Sequence, residues 1–184
     1  MWLRIVNLTV PKETKITSIF ARAESDIIRA SLLRKKLNID GQSIDSAIAY
    51  RNKILMKKKL QNTSIAVPDH KLVNSIFDIL DFIEKYNYPV VIKPILESGS
   101  TGVNIINNDS ELDTFLSKKI NFGNIEINTF IHGDMYTVDG LILDNDIAYI
   151  QPSKYINNCL SFLKNEYLFA IYLYDNDTYY NKLI

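Results

Sequence analysis

The segment 88-YPVVIKPILESGSTGV-103 constrains the fold more than any other part of the chain. Its β-branched residues read as a strand over 89–95, and a lysine stands inside that strand. Strand side chains alternate, so Val91 and Lys93 share one face while Val90 and Ile92 share the other. An unpaired ammonium in an apolar setting is costly, so Lys93 needs either an anion or an exit to water. The loop that follows, 97-ESGSTG-102, supplies two glycines that admit close backbone approach and hydroxyls on Ser98, Ser100 and Thr101. Successive backbone N–H groups in such a turn form an anion nest. A snorkelling lysine beside an ordinary hairpin is the plain alternative, but the two features together favour an anion, and phosphate in particular. The loop is no Walker P-loop, because G-x-x-x-x-G-K-[ST] is absent, and it joins two strands rather than opening a helix.

Composition narrows what that anion site can belong to. The 184 residues are 47% hydrophobic, enough for a sizeable core. Lys+Arg and Asp+Glu both number 21, so no global field draws nucleic acid or an anionic membrane, and binding must be local. Cys159 is the single cysteine, expected as a small buried hydrophobe in a reducing compartment. The N-terminus carries no secretory pattern and no run of about 18 apolar residues occurs, so a soluble, cytoplasmic protein is expected.

Along the chain, 3-LRIVNLTV-10 and 16-ITSIF-20 read as strands separated by Pro11, and 23–37 as a helix ended by Gly41. A helical pair covers about 43–61, capped by Ser43 and Asn52 and closed by Pro68. The spacing of Leu72, Val73, Ile76, Phe77, Leu80 and Ile83 predicts an amphipathic helix over 70–86, with Asn87 as its C-cap. A helix over 110–118 follows, capped by Asn108, Asp109 or Ser110, with Leu112 and Phe115 inward. Runs 124–131, 135–143 and 147–151 read as antiparallel strands joined by turn-rich links. The basic run at Lys57, Lys58 and Lys59 reads as a solvated helix face without the aromatic interleaving of a nucleic-acid surface. His70 and His132 lack ligand-type neighbours.

A strand ending in Lys-Pro, a Ser/Gly loop and a returning strand resemble the phosphate-covering hairpin of the ATP-grasp superfamily. Upstream, 51-RNKILMKKKL-60 followed by 65-IAVP-68 is similar to that family's segment in which a lysine near a helix start reaches ATP. Downstream, 125-IEINTFIHGDMYTVDG-140 looks like its adenine and ribose strand. Residues 24–42 are similar to the helix preceding the core in the amino-acid-ligase and carbamoyl-phosphate-synthase-like branch. The resemblance covers about residues 20–155, and it rests on the order and spacing of its motifs.

The resemblance implies an α/β (α+β) fold: an ATP-grasp central subdomain, a helix-backed antiparallel sheet with a Gly/Ser hairpin, preceded by a remnant of an α/β domain. Its parts are a partial preceding domain over 1–42, a helical linker with Lys53 over 43–68, the nucleotide-binding subdomain over 69–150, and the start of an incomplete C-terminal subdomain over 151–184. It implies that Lys53 and Lys93 contact ATP phosphates and that Glu97, Ser98, Gly99, Ser100, Thr101 and Gly102 close over them. Asn128, Thr129, Phe130 and Ile131 would line the adenine pocket. The implied activity is ATP-dependent carboxylate–amine ligation through an acyl phosphate, with this chain a fragment or half of the ligase and a second chain or oligomer completing the site. A non-catalytic nucleotide-binding or structural remnant is the alternative. No nucleic-acid or membrane partner is implied.

Departures from the family pattern bear on each role. Asn52 stands where the family carries Asp, and either residue caps a helix. Asn128 and Thr129 replace an acidic pair, and Met135 replaces a ribose-binding glutamate with a poor acceptor. Mg2+ is expected for the family, but the E-x-N-like carboxylate pattern that its strands after the central subdomain carry is not found in that part of the chain, so no metal residue is assigned.

Overall fold

In a computed structural model, residues 14–144, 146–161 and 166–183 are described. Two compact units divide the chain, residues 1–130 and 131–184.

In the first unit a short 3-10 turn, Glu24–Asp26, leads into α1 (Ile27–Leu37), which ends on Asn38 in the left-handed region at φ 52°, before Gly41. Helices α2 (Ile44–Arg51) and α3 (Lys53–Leu60) then form the expected pair. The Ser43 hydroxyl accepts from Ser46 N, and the Asn52 side chain accepts from Ile54 N and Leu55 N. Segment 16–20 is irregular rather than a strand. Among the described residues it has no ladder partner; instead Ile19 O accepts two bonds from the Arg34 guanidinium. The predicted strand 3–10 lies outside the described residues.

A four-stranded antiparallel sheet follows, built from β1 (His70–Val73), β2 (Val90–Pro94), β3 (Asn104–Ile106) and β4 (Ile125–Thr129) in the order β1-β4-β2-β3. Helices α4 (Ile76–Tyr86) and α5 (Asp109–Leu116) connect its strands. The single helix expected over 70–86 is therefore corrected. Residues 70–73 pair with 125–128 as an edge strand, and the helix starts only at Ile76. A local signal sets that start: the Asp78 carboxylate accepts from the backbone N–H groups of Asn74 (2.9 Å) and Ser75 (3.0 Å), donors left without partners at a helix N-terminus.

The inward face of α4 is also rotated from the expected one. Ile79 and Phe82 are buried, with Ile83 and Tyr86 packed beside them, whereas Phe77 and Leu80 are exposed. Against α4 and α5 the sheet presents Val73, Val90, Ile92, Ile106 and Ile127, closing one apolar core with Leu112 and Phe115. Asn108 proves to be the N-cap of α5, its side chain accepting from Glu111 N.

The second unit holds β5 (Tyr136–Leu143), β6 (Asp146–Tyr155) and β7 (Ala170–Tyr172), antiparallel in that order, and a last turn α6 (Tyr180–Leu183). The strands expected as one sheet thus form two, and β6 runs four residues past the expected end at 151 because it also pairs with β7. Cys159 is half-buried, its thiol 3.4 Å from Met135 Sδ.

Asp78 generates a pH prediction. The Lys71 ammonium at 2.7 Å and the two backbone N–H groups hold its carboxyl below the usual aspartate value of 3.8. A carboxylate depressed in the fold stabilises above its unfolded value, and that contribution is lost as pH falls through the folded one. The stability gap between wild type and Asp78→Asn, from urea unfolding, should therefore persist at pH 5–7 and close below about pH 3.8.

Candidate functional site

The opposite face of the four-stranded sheet is polar, and the strand period dictates it. In β2, Val90 and Ile92 enter the apolar core, which turns Val91 and Lys93 the other way. In β4, Ile127 enters the core, which turns Glu126 and Asn128 the same way as Lys93. Antiparallel register sets Lys93 directly opposite Glu126, and Val91 opposite Asn128.

Helix α3 supplies cations to this face. Lys53 and Lys57 are four residues apart, one above the other on a helix. Lys57 Nζ donates to both oxygens of Glu126 at 2.8 Å and to Asn128 Oδ1. Glu126 has no exposed surface and Asn128 is 2% exposed. Lys93 Nζ lies 3.6 Å from Glu126 Oε1, and its side chain keeps 27% of its surface. Asn128 Nδ2 is buried without a hydrogen-bond partner.

Lys53 ties the same helix to the loop. Its backbone N–H donates to Ile95 O at 3.1 Å, and its Nζ donates to the carbonyls of Pro94 (3.1 Å) and Glu97 (2.5 Å), on either side of the strand's end. Arg51 adds a bond to Leu96 O and an ion pair with Glu24. Burial lowers the Lys53 pKa from its ordinary value, the positive charge of Lys93 lowers it further, and Glu126 opposes both. Burial also lowers that of Lys57, against the opposing hydrogen bond from Glu126.

Residues 97–102 turn back through Gly99, Ser100 and Gly102, all with positive φ. Thr101 N donates to Ser98 O at 3.2 Å and Val103 N to Ser100 O at 3.3 Å. Ser98 and Thr101 are exposed and Ser100 is half-buried. Beyond β4, Thr129 N donates to Asp69 O and Phe130 N to Pro89 O, so both stay tied to the sheet end. Ile131 is 67% exposed and opens the second unit.

Of the residues singled out from sequence, Lys53, Lys93, Asn128 and, through its carbonyl, Glu97 meet in one cluster. Lys57 and Glu126 were missed. The basic run predicts Lys57 on a solvated face, yet it is only 8% exposed, because its four-residue spacing from Lys53 turns it toward the sheet. The spacing of Glu126 from Asn128, two residues along a strand, carried the matching signal. A divalent cation does not fit this cluster, since Lys57 engages both oxygens of its carboxylate. Among the described residues no three His, Cys, Asp or Glu side chains gather to hold a metal. Nor, among them, is any helix long and apolar enough to cross a membrane.

Comparison with known proteins gives this geometry a context. Residues 50–167, more than half of the chain, match the family described as the ATP-grasp domain. The chain is 27% identical over 160 residues to the L-arginine-specific L-amino acid ligase of Bacillus subtilis, covering 83% of this chain and 39% of that protein. It is 32% identical over 96 residues to the carbamoyl phosphate synthase large chain of a Thermoanaerobacter species, covering 50% of this chain and 9% of that one. The fold superposes on the crystal structure of an L-amino acid ligase from Bacillus licheniformis with a TM-score of 0.65 at 19% identity, over 83% of this chain and 35% of that one. The chain thus spans well under half the length of the relatives it matches.

The loop's two outer glycines should respond differently to alanine. A Cβ on Gly99 meets nothing within 4 Å, whereas one on Gly102 lies 2.8 Å from Pro94 Cγ. Urea unfolding should show Gly99→Ala costing about 1 kcal/mol, from its left-handed backbone alone, and Gly102→Ala costing more.

Proposed function

We propose, from the premise that this chain belongs to the ATP-grasp domain family, that its lysine-bearing sheet face binds the phosphates of ATP within a carboxylate–amine ligase. The observation that carries the reading is the gathering of Lys53, Lys57 and Lys93 around a single buried carboxylate beside the 97–102 loop. Lys53 and Lys93 neutralise phosphate charge, and the loop's hydroxyls and N–H groups close over the β- and γ-phosphates. Thr129, Phe130 and Ile131 border the base. Asn128 joins the phosphate side through its unpartnered Nδ2, because its carbonyl already accepts from Lys57.

In the proposed chemistry a substrate carboxylate oxygen attacks the γ-phosphorus and ADP leaves. An amine nitrogen then attacks the acyl carbon, phosphate leaves, and the nitrogen gives up a proton. The lysines' part is electrostatic: they stabilise charge on the transferring group. Magnesium enters as an assay requirement of the family, and no residue of this chain is assigned to hold it. The similarity to an amino acid ligase supports amino acids as the substrate class, and a second chain or copy is proposed to complete their subsites.

The subdomain division is part of the proposal: 1–42 a preceding α/β remnant, 43–68 the linker with Lys53, 69–150 the nucleotide-binding subdomain, and 151–184 the start of a C-terminal one. So is a cytoplasmic setting, without nucleic-acid or membrane partners. A second reading, nucleotide binding without turnover, is favoured by Glu126, whose oxygens are both taken by Lys57. Magnesium-dependent ADP release with an amino acid and hydroxylamine supports the ligase; ATP binding without ADP release supports the second reading.

Lys93→Ala should abolish ATP binding in a calorimetric titration while circular dichroism stays unchanged, because Lys57 still pairs Glu126. Unaltered affinity would remove Lys93 from the site. On adding ATP, amide exchange across 97–102 should slow; equal rates with and without nucleotide would count against closure of the loop.

A further inference from the structure

Lys57 has no contact with ligand in the reading above, yet it is a lysine that the fold buries. An ammonium has three donors, and here all three are spent, on Oε1 and Oε2 of Glu126 and Oδ1 of Asn128. Lys57 therefore has no proton left for a phosphate. What it does hold is the carboxylate of Glu126, which has no exposed surface and stands opposite Lys93 in the β2–β4 ladder.

Lys93 Nζ is 3.6 Å from Glu126 Oε1, outside hydrogen-bond distance, and partly open to solvent. A fully buried carboxylate deprived of its partner takes the nearest cation, and on this face that cation is Lys93. We infer that Lys57 is a positioning residue: by occupying both oxygens of Glu126, it prevents that carboxylate from capturing Lys93 and leaves the Lys93 ammonium available to an anion. The anion's identity as ATP phosphate rests on the nucleotide reading; the competition between Lys57 and Lys93 for Glu126 does not.

The competition can be read without nucleotide. The acetylation rate of Lys93 by acetic anhydride, followed by peptide mass spectrometry, is compared in the wild-type chain, Lys57→Met, Glu126→Gln and the double variant. In Lys57→Met, Glu126 should draw in Lys93 and slow its labelling about tenfold, a coupling normal for contacting charges. The double variant, with no carboxylate to capture Lys93, should return to the wild-type rate. Glu126→Gln alone should label Lys93 at the wild-type rate or faster.

An unchanged Lys93 rate in Lys57→Met, or a slow rate persisting in the double variant, overturns the role. If Lys57→Met does not fold, Glu126→Gln decides, and slower Lys93 labelling there overturns it. ATP affinity should fall and recover with the labelling. A simply structural Lys57 would not give that recovery, because the double variant lacks the pair altogether. Should the labelling pattern hold while no form binds ATP, the positioning role stands and the nucleotide reading falls.

Discussion

A carboxylate with no exposed surface organises this molecule. Glu126 cannot be buried as a lone charge, because the desolvation cost is several kcal/mol, and removing one partner from such a pair typically costs about 3–5 kcal/mol. Its partner, Lys57, comes from a different element, so the pair fixes how α3 lies on the sheet. Once Lys57 is anchored, the helical period places Lys53 one turn earlier, where its ammonium reaches the carbonyls of Pro94 and Glu97. One ion pair therefore sets both the helix and the start of the 97–102 loop.

The strands around it divide their labour by face. Alternate residues of β2 and β4 enter the apolar core, and those between them build the cation cluster. The apolar core and the cation cluster thus share a backbone without sharing side chains. The loop follows the same economy of space. Gly102 passes so close to the Pro94 ring that any side chain there would collide, and this keeps the returning strand β3 against β2.

Much of this was legible in the residues. Alternation alone set Lys93 apart from Val90 and Ile92, and side-chain capping by Ser43 and Asn52 marked two helix starts, while for a third the residues left Asn108 open beside Asp109 and Ser110. The family resemblance read from the loop, the lysine helix and the adenine strand agrees with the match over residues 50–167. What failed did so for tertiary reasons. Residues 70–73 fit a helical period, but only the neighbouring β4 makes them a strand. The apolar positions of α4 spread over more than one face, and packing against the sheet chose Ile79 and Phe82 over Phe77 and Leu80. Lys57 looked like one of three solvated lysines, because the carboxylate that buries it lies 69 residues away in sequence.

The cluster would also reconcile a chain of zero net charge with the polyanion proposed to bind there. Locally three ammoniums, Lys53, Lys57 and Lys93, face one carboxylate, so positive charge is in surplus on this sheet face although Lys+Arg and Asp+Glu balance at 21 each overall. The surplus registers in Lys53, whose pKa is lowered first by burial and then by Lys93. Burial and like-charge repulsion both disfavour the charged amine, and an anion entering between Lys53 and Lys93 would oppose both, favouring the protonated form. Binding strength would then come from removing local strain among charges rather than from a long-range field, consistent with a site built from neighbouring strands and one helix of a neutral protein.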